Sequence, residues 1–221
     1  RMKQALILGC SHALGSEMWK STDANIGEEE SWAVKDGYGL ERCYPALIAK
    51  ELGYEPNNRA IAGGSNDAMF RILEESRLRP PDIVIACWSG GNRTEIYNDE
   101  DQEWVPLSVG NKIDEAYTEY FKHWVNHTNT DQQSRLAKMK NIYALNALAR
   151  TRKLKIINID SFWPIPNVKW GADMYWPVAD TFHNWSMDRD FARTPWGHYF
   201  EDAHRAFAEH VVRAIGDYDL D

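Results

Sequence analysis

Uninterrupted apolar runs alternate along the chain with stretches whose apolar positions recur at helical spacing. Leu6, Ile7 and Leu8 form a short apolar run that stops at Gly9, with Ser11 two residues beyond. Runs of this kind belong to strands buried on both faces. Residues 59–62, closed by Gly63-Gly64, predict a second strand. Residues 83–88, centred on Val84, Ile85 and Ala86 and leaving through Ser89-Gly90-Gly91-Asn92, predict a third, and residues 155–160 a fourth.

Helical patterns fill the spaces between these runs. Residues 13–18 open a helix after the first strand. Residues 44–52 form an amphipathic helix, with Pro45 in its first turn and Gly53 at its C-cap. Ser65 or Asn66 caps a helix carrying Met69, Ile72 and Leu73, and Pro80-Pro81 breaks the chain before the third strand. Residues 112–124 and 132–148 read as two helices, the second carrying Leu136, Met139, Ile142, Tyr143, Leu145 and Leu148. Residues 199–215 make a closing helix with Ala203, Ala206, Phe207, Val211 and Ile215 on one side. Three stretches have no clear period: a polar, acidic loop at 21–39, an irregular insertion at 93–111, and a Trp- and Asp-rich segment at 162–195.

Strands alternating with helices predict an α/β fold whose parallel sheet is covered on both faces, a three-layer α/β/α sandwich, as a single domain over residues 1–221. Right-handed crossovers put the exits of all parallel strands on one edge. Ser11, Gly63 and Asn92, each just past a predicted strand, are therefore expected to meet there, where open α/β sheets place their ligands.

Composition narrows the function. A formal charge of −8 argues against a nucleic-acid binder, which needs a basic face. No apolar run approaches the roughly 18 residues of a membrane span. Arg1 and Lys3 precede too few apolar residues for a signal peptide, which points to a cytoplasmic or virion-associated protein. Cys10, Cys43 and Cys87 lack metal-ligand spacing and read as buried free thiols of a reducing compartment. Of the ten tryptophans, Trp32, Trp104, Trp170, Trp176, Trp185 and Trp196 fall in predicted loops, where they either pack those loops down or line a surface for sugars or a partner protein. The packing reading is the simpler one.

Ester hydrolysis by serine needs a hydroxyl, a base within hydrogen-bond reach, and donors aimed at the developing oxyanion. Ser11 is the candidate hydroxyl. The Gly63-Gly64 turn offers an unobstructed backbone N–H. Asn92 offers an amide donor from a glycine-rich turn, and His198, at the start of the last helix, offers an imidazole. Each has an ordinary structural reading: Ser11 as an N-cap, the glycines as turns, Asn92 as a brace of its own turn, His198 as a helix cap. His123 and His127 stand at helical spacing, but Trp124 replaces the glutamate of the metalloprotease pattern. The sequons at Asn92, Asn126 and Asn184 read as chance matches. Arg93 and Glu95 read as a surface ion pair, the other reading being Arg93 as a receptor for an acidic group of the substrate.

Together, and in this order, these segments resemble the SGNH (GDSL-type) hydrolase superfamily. Gly9-Cys10-Ser11 resembles its Gly-Asp-Ser block, with Cys10 where aspartate is usual. Residues 58–65 (Asn-Arg-Ala-Ile-Ala-Gly-Gly-Ser) resemble its second block, Gly90-Gly91-Asn92 its Gly-x-Asn block, and His198 with Glu201, His204, Ala206, Phe207 and Ala208 its last block. The resemblance implies a flavodoxin-like sandwich and an esterase acting on an acyl ester of a carbohydrate or lipid. It assigns Ser11 as nucleophile, His198 as base, and the N–H groups of Ser11 and Gly63 with the Asn92 side chain as oxyanion donors, and it requires no metal or organic cofactor.

One departure stands out. The family's aspartate three residues before the histidine is Pro195 here. The expectation is therefore a Ser–His dyad whose ring is oriented by a backbone carbonyl or a water, or else by Asp188 or Asp190 of the preceding loop. The alternative function is a degenerate SGNH-like domain that serves as a binding or structural module, with protein partners in a larger assembly such as a phage particle.

Overall fold

Two central strands carry the architecture. The computed structural model describes residues 2–18, 38–109, 115–127, 129–165, 174–195 and 197–216. The first strand, β1 (Gln4–Leu8), runs into a single helical turn, α1 (Ser11–Leu14). Helices α2 (Tyr38–Arg42) and α3 (Tyr44–Glu51) lead to β2 (Glu55–Asn58). Helix α4 (Asn66–Glu75) precedes β3 (Ile83–Trp88), and a hairpin, β4 (Arg93–Asn98) and β5 (Glu103–Ser108), follows it. Helices α5 (Thr118–His127) and α6 (Asp131–Thr151) lead to β6 (Lys155–Asp160), and α7 (Phe182–Met187) and α8 (Glu201–Ile215) close the chain.

The main sheet has the order β2-β1-β3-β6, and every pairing in it is parallel, as the strand–helix alternation predicts. Ile7 lies beside Ile85, and Ile85 beside Ile157. Side chains alternate across a strand, so β1 feeds two cores. Ala5 and Ile7 pack with Tyr44, Ile48, Phe182, Phe207 and Val211 under α3 and α8. Leu6 and Leu8 pack with Met69, Leu73, Ile142 and Leu145 under α4 and α6. Burying each such leucine or isoleucine contributes about 1.5–3 kcal/mol. Among the described residues no helix is long and apolar enough to cross a membrane.

The structure corrects several expected elements. The helix expected at 13–18 is the single turn α1, with residues 15–18 in turn conformation, and the segment at 162–195 contains α7. The second strand is Glu55–Asn58, not residues 59–62. It pairs only with β1 and has alternating exposure, so a sheet edge accommodates its polar residues and Pro56. The apolar residues expected to form it lie just beyond, where Arg59 N–H donates to Ile7 O (2.9 Å) and Ile61 N–H to Gly9 O (3.0 Å). The insertion at 93–111 contains the antiparallel hairpin β4–β5, with Tyr97 opposite Trp104. Its strands are half-buried and rich in charge, because one face rests on α4: Arg71 holds Glu95 through two bonds of 2.9 Å. Most of the loop expected at 21–39, with Trp32, lies outside the described residues, as do Trp170 and Trp196. Of the other loop tryptophans, Trp185 is buried in α7, which supports packing, whereas Trp104 is exposed on β5.

Candidate active site

Because the sheet is parallel, the exits of β1, β2 and β3 share one edge, and that edge carries Ser11, Gly63 and Asn92. Ser11 is the first residue of α1 and is buried. Asn58 fastens this turn to β2, its amide donating to Ala13 O at 2.8 Å. Gly63 has φ 68°, a left-handed conformation that glycine adopts without strain. The turns bearing Gly63 and Asn92 are locked together by Asn66, whose Oδ1 accepts Ser89 N–H (3.0 Å) and whose amide donates to Ser89 O (3.3 Å). Asn92 Oδ1 lies over Gly90, and Gly91 is pressed onto Ser134 O of α6 so closely that a Cβ there would sit 1.8 Å from it.

His198 reaches the same edge from the far end of the chain. A tight turn delivers it: Thr194 N–H donates to His198 O (2.8 Å), Gly197 N–H to Thr194 O (2.9 Å), and Gly197 has φ 86°. His198 Nδ1 is 2.8 Å from Glu17 Oε2. Thr194 Oγ1 donates to the same carboxylate oxygen (2.6 Å) and accepts His198 N–H (3.2 Å). Glu17 is fully buried and has φ 62°, a conformation that costs a non-glycine residue energy and recurs at functional sites. A carboxylate there accepts a hydrogen bond from Nδ1–H, the tautomer that leaves Nε2 as the acceptor of the neutral ring.

The partner of the histidine ring differs from the ones expected. A carboxylate does face the histidine, in place of a carbonyl or water, and it is neither Asp188 nor Asp190. Those two belong to the turn that ends α7, where their N–H groups donate to Asn184 O (2.9 Å) and Met187 O (3.0 Å). Pro195 is compatible with a histidine-bound acid because the acid comes from the exit of β1.

The surroundings are aromatic. The His12 ring, next in sequence to Ser11, packs edge-on to His198 at 5.1 Å between ring centres and against Phe162 at 4.7 Å. Burial holds His12 well below the ordinary histidine range, and the neighbouring His198, His204, His183 and Arg93 act in the same direction. Its Nδ1 is buried without a hydrogen-bond partner among the described residues. His204 is pushed down to about 3 by burial and by His198, and its neutral Nδ1 accepts Tyr44 N–H at 3.1 Å. Two thiols are made inert by the same physics: burial raises Cys43 to about 12 and lifts Cys87 as well.

A buried ion pair braces the segment that carries Phe162. Lys138 of α6 contacts Asp160 at the end of β6 and donates to Trp163 O at 2.6 Å. The expected Arg93–Glu95 pair does not form, because Glu95 is taken by Arg71. The Arg93 guanidinium instead stands 5.9 Å from the centre of the Phe162 ring. Among the described residues no cluster of three or more His, Cys, Asp or Glu side chains is arranged for a metal ion.

Sequence reasoning missed Glu17 and Thr194. The one local trace of Glu17 was its place two residues past Gly15, on the segment leaving β1.

Comparison with known proteins bears on the fold and the family. Residues 28–217 match the model of a family described as "Family of unknown function (DUF6071)". No curated protein matches the chain. Among solved structures, the chain is similar to a psychrotrophic esterase, EstA, from Pseudoalteromonas sp., with 10% identity and a TM-score of 0.52 over 98% of both chains. It is also similar to a carbohydrate esterase described as having divergent catalytic and non-catalytic binding functions, with 11% identity and a TM-score of 0.56 over 100% of this chain and 66% of that one. A third is a carbohydrate esterase family 2 enzyme with a carbohydrate-binding domain from Corynascus thermopiles (Myceliophthora fergusii), with 12% identity and a TM-score of 0.52 over 97% of this chain and 67% of that one. The likeness is one of fold, and the chain spans about two thirds of the two carbohydrate esterases.

Proposed function

Since the chain belongs to the DUF6071 family, whose function is unknown, its activity has to be argued from the site, and we propose that it is a serine ester hydrolase of the SGNH type. Ser11 attacks the ester carbonyl while His198 Nε2 takes its proton. Glu17 holds the ring in the required tautomer and stabilises the imidazolium. The N–H groups of Ser11 and Gly63, with the Asn92 amide, receive the oxyanion, each donor contributing about 3 kcal/mol in enzymes where one has been removed. The alcohol leaves with the proton from His198. Water, activated by the same ring, then frees the acid and restores Ser11.

The observation that carries this reading is the 2.8 Å contact between buried Glu17 and His198 Nδ1, at the sheet edge where Ser11 begins α1. A carboxylate–histidine pair at the sheet edge that carries a strand-exit serine supports nucleophilic catalysis. Pro195, which in the sequence favours a degenerate binding module, loses that weight once Glu17 stands on the ring. The substrate class that fits is an acyl ester of a small molecule or glycan.

Labelling with a fluorophosphonate tests the reading. The wild-type chain should be labelled, Ser11→Ala should not, and Glu17→Gln should label far more slowly. Equal labelling of the Ser11→Ala protein, or none of the wild type alongside no hydrolysis of p-nitrophenyl acetate, would remove the hydrolase assignment.

A further inference from the structure

A cavity of about 620 Å³ opens beside the turn that carries Asn92, and Gly91 and Arg93, the residues on either side of Asn92, are among those that line it. The other walls come from α4, the β4–β5 hairpin, α5 and α6. The volume is within the range of small-ligand sites, about 300–1,000 Å³.

Charge is shared unevenly on these walls. Arg71 gathers two carboxylates, Glu95 through two bonds of 2.9 Å and Glu75 at 3.1 Å, and Glu74 is engaged by Arg152. Asp67 is held by neutral donors, the amide of Asn141 at 2.9 Å and the hydroxyl of Thr94 at 3.3 Å. Two lining cations, Arg93 and Lys140, have no carboxylate partner among the described residues. Lys140 is exposed on α6, where water solvates it. Arg93 is half-buried, and its Nη1 is shut away from water with no hydrogen-bond partner among the described residues. A buried donor left unmade is costly, so this guanidinium marks a place where an acceptor belongs.

The position of Arg93 ties it to the site. It directly follows Asn92 in the chain. Its guanidinium stands 5.9 Å from the centre of the Phe162 ring, which packs at 4.7 Å on the ring of His12, the neighbour of Ser11. Its charge acts with burial to depress the His12 imidazole.

We infer that Arg93 is the specificity-determining residue of the proposed site and pairs with a carboxylate carried by the substrate. Resting on the hydrolase reading, this makes the substrate an ester that bears a carboxylate, with its carbonyl at Ser11 and its acid in the cavity at Arg93. A guanidinium presents its N–H groups as a planar fork that matches the two oxygens of a carboxylate. A neutral acceptor in its place forms a weaker bond and leaves the cation uncompensated. A single negative charge fits best, because Asp67 and the carboxylates on Arg71 line the same walls and repel a second one.

The test is calorimetric binding to the full chain carrying Ser11→Ala, which does not consume its probes. One pair of probes, 4-acetoxybenzoate and 4-acetoxybenzamide, varies the charge on the alcohol side. The other, monophenyl adipate and its half-amide, varies it on the acyl side. In at least one pair the acid should bind about tenfold or more tighter than the amide. Adding Arg93→Met should bring that ratio near to one, and Arg93→Lys should restore part of it, which separates a lost charge from a disturbed hairpin. The doubly charged 4-acetoxyphenyl phosphate should bind no tighter than the preferred acid. Equal binding of acid and amide in both pairs, a preference that survives Arg93→Met, or tighter binding of the phosphate overturns the inference. The chain with Ser11 intact is assayed on the same esters and on p-nitrophenyl acetate. A preference for the acid with no hydrolysis of any ester leaves the Arg93 site standing and removes the hydrolase reading. Hydrolysis of p-nitrophenyl acetate with no preference for the acid does the reverse.

Discussion

Glu17 and His198 are 181 positions apart in the chain, yet Glu17 Oε2 lies 2.8 Å from His198 Nδ1, with both side chains buried. The carboxylate thus reaches the histidine from the segment that also presents Ser11, so one strand exit carries both the proposed nucleophile and the proposed orienter. Glu17→Gln preserves the shape but presents the ring with an amide, which lacks the charge that stabilises the imidazolium. The expected loss in kcat is about 10⁴-fold, the size seen when the equivalent carboxylate of a serine protease triad is made an amide. Steady-state assay on p-nitrophenyl acetate, with a melting curve as control, checks it. A loss below tenfold with normal stability would show that Glu17 only fills space.

Asn92 has a different signature. Its removal should leave substrate binding largely intact and lower kcat by about 10²-fold, because the donor acts on charge that develops in the transition state. Measuring kcat and KM separately for Asn92→Ala decides this. An unchanged kcat means the side chain only braces the turn over Gly90.

Stability should fall on acidification. His204 titrates at about 3 in the folded chain because burial disfavours its cation, against an ordinary value of 6.5. Below about pH 6.5 the unfolded chain binds a proton that the folded one refuses, so stability is full above that pH and declines as pH falls toward 3. The slope is about 1.4 kcal/mol per pH unit for such a group. His12, also depressed by burial, adds to it in the same direction. Urea midpoints between pH 7.5 and pH 5 measure the effect, and His204→Asn should flatten the profile. A flat wild-type profile would contradict the buried, neutral state of both rings.

The Lys138–Asp160 pair should matter as a pair. Lys138→Met leaves Asp160 buried without its cation and frees Trp163 O, for an expected loss of about 3–5 kcal/mol. Lys138→Met combined with Asp160→Asn should recover part of it, since the uncompensated charge is then gone. Denaturant titration of the single and double variants checks the coupling.

How much of this was legible depended on whether a neighbour in sequence or a neighbour in space decided each feature. Residues 5–8 and 83–88 announced themselves as strands because a parallel strand buried on both faces must be apolar at every position. Their parallel alternation with helices was enough to place Ser11, Gly63 and Asn92 on one edge. The edge strand at 55–58 hid, since half of it faces water and it need not be apolar. The hairpin hid because its charged residues, Glu95 above all, are satisfied by Arg71 of a helix that precedes it by a strand and a turn. The histidine's carboxylate was the least readable feature. Nothing local to Glu17 distinguishes it from a surface glutamate, and nothing local to Pro195 says where a replacement would lie. Only the turn at Thr194–His198, folded back onto the exit of β1, made the two ends neighbours, and a contact of that separation is set by packing of the whole sheet and not by any pattern along the chain.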